Sequence, residues 1–210
     1  FFSKEKLQKN KSIPDYRIVV RGESNEKISK LINLVATRQK WLERNLKDDG
    51  IQKNELVGYG NKIDDPKKLA QIIQDKLEID LEKIKSFSGF DAKKKTLQYL
   101  SQQAESKGIF VGKTISYHRI EVEDMRGLSI TNDYCPFIVI NRKDSWAAQI
   151  FSLVHEFAHV FRKSDAISNS LEFRKEINSL KSEELLCNKV AAELLLPEGD
   201  FQKSFYDFVN

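Results

Sequence analysis

Between residues 24 and 47 apolar side chains recur every three or four positions: Ile28, Leu31, Ile32, Leu34, Val35, Trp41 and Leu42. That period puts them on one stripe, so a long amphipathic helix is predicted over 24–47. Residues 48–63 carry Gly50, Gly58 and Gly60 and read as a linker. Two more helices are predicted over 65–78 and 91–106, the second ended by Gly108. The period then shortens. IFVGK at 109–113, ISYHRIEV at 115–122, GLSIT at 127–131 and FIVIN at 137–141 read as short strands, the first two as a hairpin. Helical spacing returns over 145–161, where Trp146, Ile150, Leu153, Phe157 and Phe161 share a face and Asp144 or Ser145 offers an N-cap. A polar connection over 162–180 leads to a last helix, 182–196. Ser182 would cap it, Leu185, Leu186, Val190, Leu194 and Leu195 would bury it, and Pro197 would end it. There is no internal repeat. The predicted class is α+β: a small β-sheet beside a helical bundle, preceded by a long N-terminal helix.

One stretch of the helix at 145–161 is chemically loaded: His155-Glu156-Phe157-Ala158-His159. Residues four apart lie one above the other on a helix, so both imidazoles can face one metal ion. Glu156 beside the first His is placed to serve as general base in metal-assisted hydrolysis. The chain has only three His, the third being His118, and the flanks of the motif are apolar without Pro or Gly. A surface helix would be more polar, and a core helix does not ordinarily bury two unpaired His and a Glu.

Catalytic zinc usually takes three protein ligands. A third His six residues after His159 is absent, since position 165 is Asp. The third ligand is therefore expected to be a carboxylate further on: Glu172, Glu176, Glu183, Glu184, Glu193 or Glu198. Glu184 is preferred, because Asn188 shares its face four residues on and could orient a ligand His from behind. Glu183 has Cys187 in that position, and Glu193 interrupts an otherwise apolar stretch.

Taken together, HEFAHVF and, about 25 residues later, ELLCNKVAAELLLP resemble the ImmA/IrrE metallo-endopeptidases. That family pairs an HExxH helix with a second helix of the type E-x-x-A-N-x-x-A-A-E-L-L-x-P. Here Asn188, Ala191, Ala192, Glu193, Leu194, Leu195 and Pro197 match, and Cys187 takes the usual small-residue position. GLSI at 127–130 and PFIVINRKDSWAAQIFSLVHEFAH at 136–159 also look like the family, and the resemblance spans about residues 64–200. Many members carry another His shortly after HExxH, where this chain has Arg162 and Lys163. The resemblance implies a zincin-like, gluzincin-type fold. It also implies a zinc endopeptidase whose Zn2+ is held by His155, His159 and Glu184 with Glu156 as base, and whose substrate is a helix-turn-helix transcriptional repressor in a stress or mobile-element response. The domain division expected is 1–63 for a basic arm, long helix and linker, and 64–210 for the peptidase.

Charge, cysteine content and the chain's ends add to this. Residues 1–22 hold six Lys/Arg against two Asp/Glu, so the whole net charge of +4 lies in that arm, which reads as a solvated linker. The rest balances to zero and makes no case for binding DNA. The arm resembles the join that follows a helix-turn-helix domain in longer family members. The chain starts at Phe1 and its one Met is Met125, so a longer protein is expected, touching DNA only through a preceding domain. The last residues, FQKSFYDFV, look like the start of a further helix. No run of 18 apolar residues and no secretory leader pattern occurs, and Cys135 and Cys187 read as buried free thiols, which together suggest the cytoplasm. His118, Tyr117 and Tyr134 are the weaker candidates for stabilising an oxyanion. The alternative to a peptidase is a catalytically weak zincin-fold module that binds or senses within a DNA-binding regulator.

Overall fold

The computed structural model describes residues 23–164 and 176–197. The elements in chain order are α1 (Glu23–Asp48), α2 (Pro66–Lys76), α3 (Leu81–Ser86), α4 (Ala92–Ser106), β1 (Phe110–Lys113), a single 3-10 turn (Ser116–His118), β2 (Gly127–Ile130), β3 (Phe137–Ile140), α5 (Trp146–Arg162) and α6 (Glu176–Leu195). The class is α+β, with the long N-terminal helix in place. The sheet order is β1-β3-β2, with β1 parallel and β2 antiparallel to the central β3.

Strand alternation divides the core into two. Ile138 and Ile140 point from β3 into a large cluster with α2, α4, α5 and α6. Val139 of β3, with Leu128 and Ile130 of β2, points the other way, onto Ile28, Leu31, Ile32 and Val35 of α1. The sheet is thus a middle layer, with α1 on one face and α5 on the other. A buried polar contact fixes α1: Gln39 donates through Nε2 to the carbonyls of Ile130 (2.8 Å) and Cys135 (2.9 Å). Both cysteines are buried and free. No helix among the described residues is long and apolar enough to cross a membrane.

α5 is the central helix and is buried almost all round from Gln149 to Phe161. Ser145 caps it, its Oγ accepting from the Ala148 amide at 3.3 Å. At the other end, the residues read as a linker instead dock onto the helix. The amides of Gly58 and Gly60 donate to the carbonyls of Val160 (3.1 Å) and Phe161 (2.8 Å), satisfying groups a helix end leaves open. Gly60 must be small there, because an added Cβ would meet Leu69 Cδ1 at 2.5 Å.

Several predicted elements differ. The expected strand at 115–122 is a 3-10 turn and loop. The ladder ends where the Thr114 amide donates to the Ile140 carbonyl (3.0 Å), and Arg119 adopts a positive φ of 50°, which breaks extended chain. The last helix starts at Glu176 rather than 182, so Ser182 lies inside it and is not its cap. α3 went unforeseen, since it has six residues and buries none. Of the predicted apolar stripes, Trp41, Leu34, Trp146 and Leu185 are exposed, Trp41 by 66%. The basic arm at 1–22, residues 165–175 of the polar connection, and the terminal FQKSFYDFV lie outside the described residues.

Candidate metal centre

His155 and His159 occupy one face of α5, turned toward α6. Their Nε2 atoms lie 3.0 Å apart. α6 packs alongside through buried Cys187, Val190, Ala191 and Leu194, and this brings Glu184 over both rings. Its Oε2 is 3.3 Å from His155 Nε2 and its Oε1 is 3.3 Å from His159 Nε2. One ligand atom from each of the three lies within 4.8 Å of the others. His159 is 4% exposed, while Glu184 reaches the cluster from a half-exposed position. The two imidazoles hydrogen-bond the Glu184 carboxylate and hold it well below the usual carboxylate range, against the effect of its own burial. Burial works against a charged His159, but Cys187, Glu184 and the charge of Glu156 outweigh it and push its pKa up. The cluster therefore attracts positive charge at its centre, and two imidazoles with one carboxylate form a donor set suited to zinc.

The cluster opens into a cleft of about 530 Å³. Its walls are the Val122–Arg126 loop, β2 from Gly127 to Ser129, α5 at Phe151, His155 and Glu156, and α6 at Glu184 and Asn188. Glu156 is buried against Gly127, where an added Cβ would meet its Oε1 at 2.8 Å and its Cγ at 3.3 Å. Asn141, at the end of β3, holds the loop wall. Its amide group donates to the carbonyls of Glu121 (3.1 Å) and Met125 (2.9 Å).

The other predicted site residues fall elsewhere. Glu183 forms a two-pronged ion pair with Arg162, at 2.9 Å from Nε and 2.8 Å from Nη2. Glu193 lines a separate groove with Asp65, Pro66 and Lys189. Glu176 opens α6, two turns before Glu184, and Glu172 and Glu198 lie outside the described residues. Asn188 is exposed at the cleft wall, whereas the groups beside Nδ1 of His159 are Ser164 Oγ at 3.1 Å and Cys187 Sγ at 3.7 Å. His118 accepts from the Ile115 amide through Nδ1 (3.2 Å), Lys47 lies over the ring of Tyr134 (4.9 Å), and Tyr117 is exposed. None of these three lines the cleft. Sequence reasoning gave Gly127 and Arg162 no part in the site and passed over Ser164, because their parts depend on contacts set by the folded chain.

Comparison with known families matches residues 110–210 to a peptidase family model, M78, described as the IrrE N-terminal-like domain. No curated protein and no solved structure gives a significant match.

Proposed function

We propose, because residues 110–210 belong to the IrrE N-terminal-like peptidase family, that this chain is a zinc-dependent endopeptidase and that it cuts a helix-turn-helix transcriptional repressor. The observation that carries the hydrolytic part is the convergence of His155, His159 and Glu184 beside a buried Glu156 at the floor of an open cleft. Those three side chains would hold the metal. Zinc, when bound, supplies Lewis acidity, lowering the pKa of a coordinated water toward about 7 and polarising a carbonyl.

The chain's own residues account for the rest. Glu156 takes a proton from the attacking water on its carboxylate and passes it to the leaving amide nitrogen. Burial between α5 and Gly127 limits the positions that carboxylate can take. β2 pairs with β3 on one side only among the described residues, so its other edge is free to pair with an extended peptide lying in the cleft. A cleft of this kind favours an exposed linker of a folded regulator over compact protein surface, which supports a selective role. The repressor as substrate rests on the family resemblance.

The test is co-expression with transcriptional regulators encoded near the gene, with mass mapping of fragments and Glu156→Gln as the control. The expected result is cleavage of one regulator at one or a few sites, absent in the control. A chain that binds zinc and cuts none of them would overturn the repressor reading and favour a binding or sensing module.

A further inference from the structure

The end of α5 folds back beneath one of its own histidines. Lys163 takes the left-handed conformation (φ 52°, ψ 34°) of a helix C-cap, and the Ser164 amide returns to the His159 carbonyl at 3.2 Å. This return sets Ser164 Oγ 3.1 Å from Nδ1 of the His159 ring. The Glu183 carboxylate lies close enough to the same hydroxyl for Ser164 to help lower its pKa. Glu183 is in turn gripped by both prongs of Arg162, whose Nη1 also donates to the Ile63 carbonyl (2.8 Å) and to Asp64 (3.0 Å). Ser164 thus stands between the ring and a carboxylate that Arg162 ties to the segment capping α5.

We propose that Ser164 and Glu183 are positioning residues for His159: its Nδ1–H donates to Ser164 Oγ, and the Ser164 O–H donates to Glu183. The proposal rests on the reading that His155, His159 and Glu184 hold zinc. A neutral imidazole carries one N–H, and fixing it at Nδ1 leaves Nε2 bare toward Glu184. A carboxylate at the far end of the relay raises the basicity of the ring and fixes its orientation. Arg162 has a second effect. Glu183 is the chain neighbour of Glu184, and the two-pronged pair keeps it from competing for the metal position. Cys187, at 3.7 Å, offers a weaker sulfur contact to the same nitrogen. His155 is held differently, as its Nδ1 is buried with no partner among the described residues.

The experiment measures zinc affinity of the 210-residue chain by competition with a chromogenic chelator, and the visible absorption of its cobalt form. Melting of the metal-free proteins is the check on folding. Ser164→Ala is expected to bind zinc roughly 10- to 100-fold more weakly, with a changed cobalt spectrum. Ser164→Thr, which keeps the hydroxyl, is expected to recover most of the loss. Glu183→Gln, which leaves Ser164 in place, is expected to weaken binding in the same direction. The relay is overturned if Ser164→Ala binds zinc as tightly as the unmodified chain with the same spectrum, or if Thr is no better than Ala. No change with Glu183→Gln removes the carboxylate from it. A different failure, in which the unmodified chain binds no stoichiometric zinc, overturns the ligand reading itself.

Discussion

At the scale of single residues, the contact between Glu156 and Gly127 ties the sheet to the chemistry. The nearest atom to a Cβ at position 127 is the tip of a flexible side chain, so Gly127→Ala displaces the carboxylate rather than the backbone. The variant is expected to fold and bind zinc normally, yet lose about 10²-fold in peptide cleavage, the scale of a misplaced reacting group. Unchanged cleavage would show that Glu156 has room to spare. Glu156→Gln is nearly isosteric and is expected to keep zinc while activity falls by roughly 10² to 10⁴; near-normal turnover would take Glu156 out of the mechanism. The pairing of His155 with His159 was legible in the sequence, since helix period alone sets it. The third member was not fixed by period. Asn188 behind Glu184 pointed to the face of α6 that lines the cleft, but the partners actually beside His159 come from a left-handed cap and a neighbouring thiol.

Among the elements, those with a strong local period were readable: α1, α4 and α5 lie within a residue or so of their predicted ends. The segments that failed are those where tertiary contacts override a weak local signal. ISYHRIEV alternates like a strand, yet Ile115 and Tyr117 face solvent and the His118 ring closes a local turn instead. Residues 48–63 looked like a linker because glycines permit turns; here Gly58 and Gly60 bring their amides against the end of α5. The Arg162–Glu183 pair joins that end of α5 to α6 and carries a pH prediction. Burial alone would raise the Glu183 pKa, but Arg162 and Ser164 lower it below its ordinary value of 4.5. A depressed folded-state pKa stabilises the protein above the unfolded value, and the contribution is lost as pH falls through the folded one. Glu183→Gln is therefore expected to melt lower than the unmodified chain at pH 7, with the gap closing below about pH 4. A gap of constant size between pH 7 and pH 3 would mean that the pair contributes nothing through charge.

For the whole molecule, the question is whether the metal holds the fold or only the site. The apolar cluster linking α2, α4, α5 and α6 is continuous without Glu184, and the sheet is covered on both faces by helices. At 210 residues the chain can bury a sufficient core without help, unlike small domains that unfold when their zinc is removed. Yet the three proposed ligands come from α5 and α6, and the unfolded chain has no such site. Binding must then stabilise the native state by linkage, by about 4 kcal/mol when free zinc is 1,000-fold above its Kd. For a chain of this length that corresponds to roughly 8–16 °C in melting temperature. Chelator-treated protein is thus expected to keep its far-ultraviolet circular dichroism at 25 °C, melt lower by about that amount, and recover on adding zinc. Glu184→Ala should melt the same with or without zinc, and Glu193→Ala should respond like the unmodified chain. Complete unfolding on chelation would assign the metal a structural role that the buried core argues against. A zinc-dependent shift that survives Glu184→Ala and is lost in Glu193→Ala would move the third ligand along α6, where Glu193 now faces a different groove.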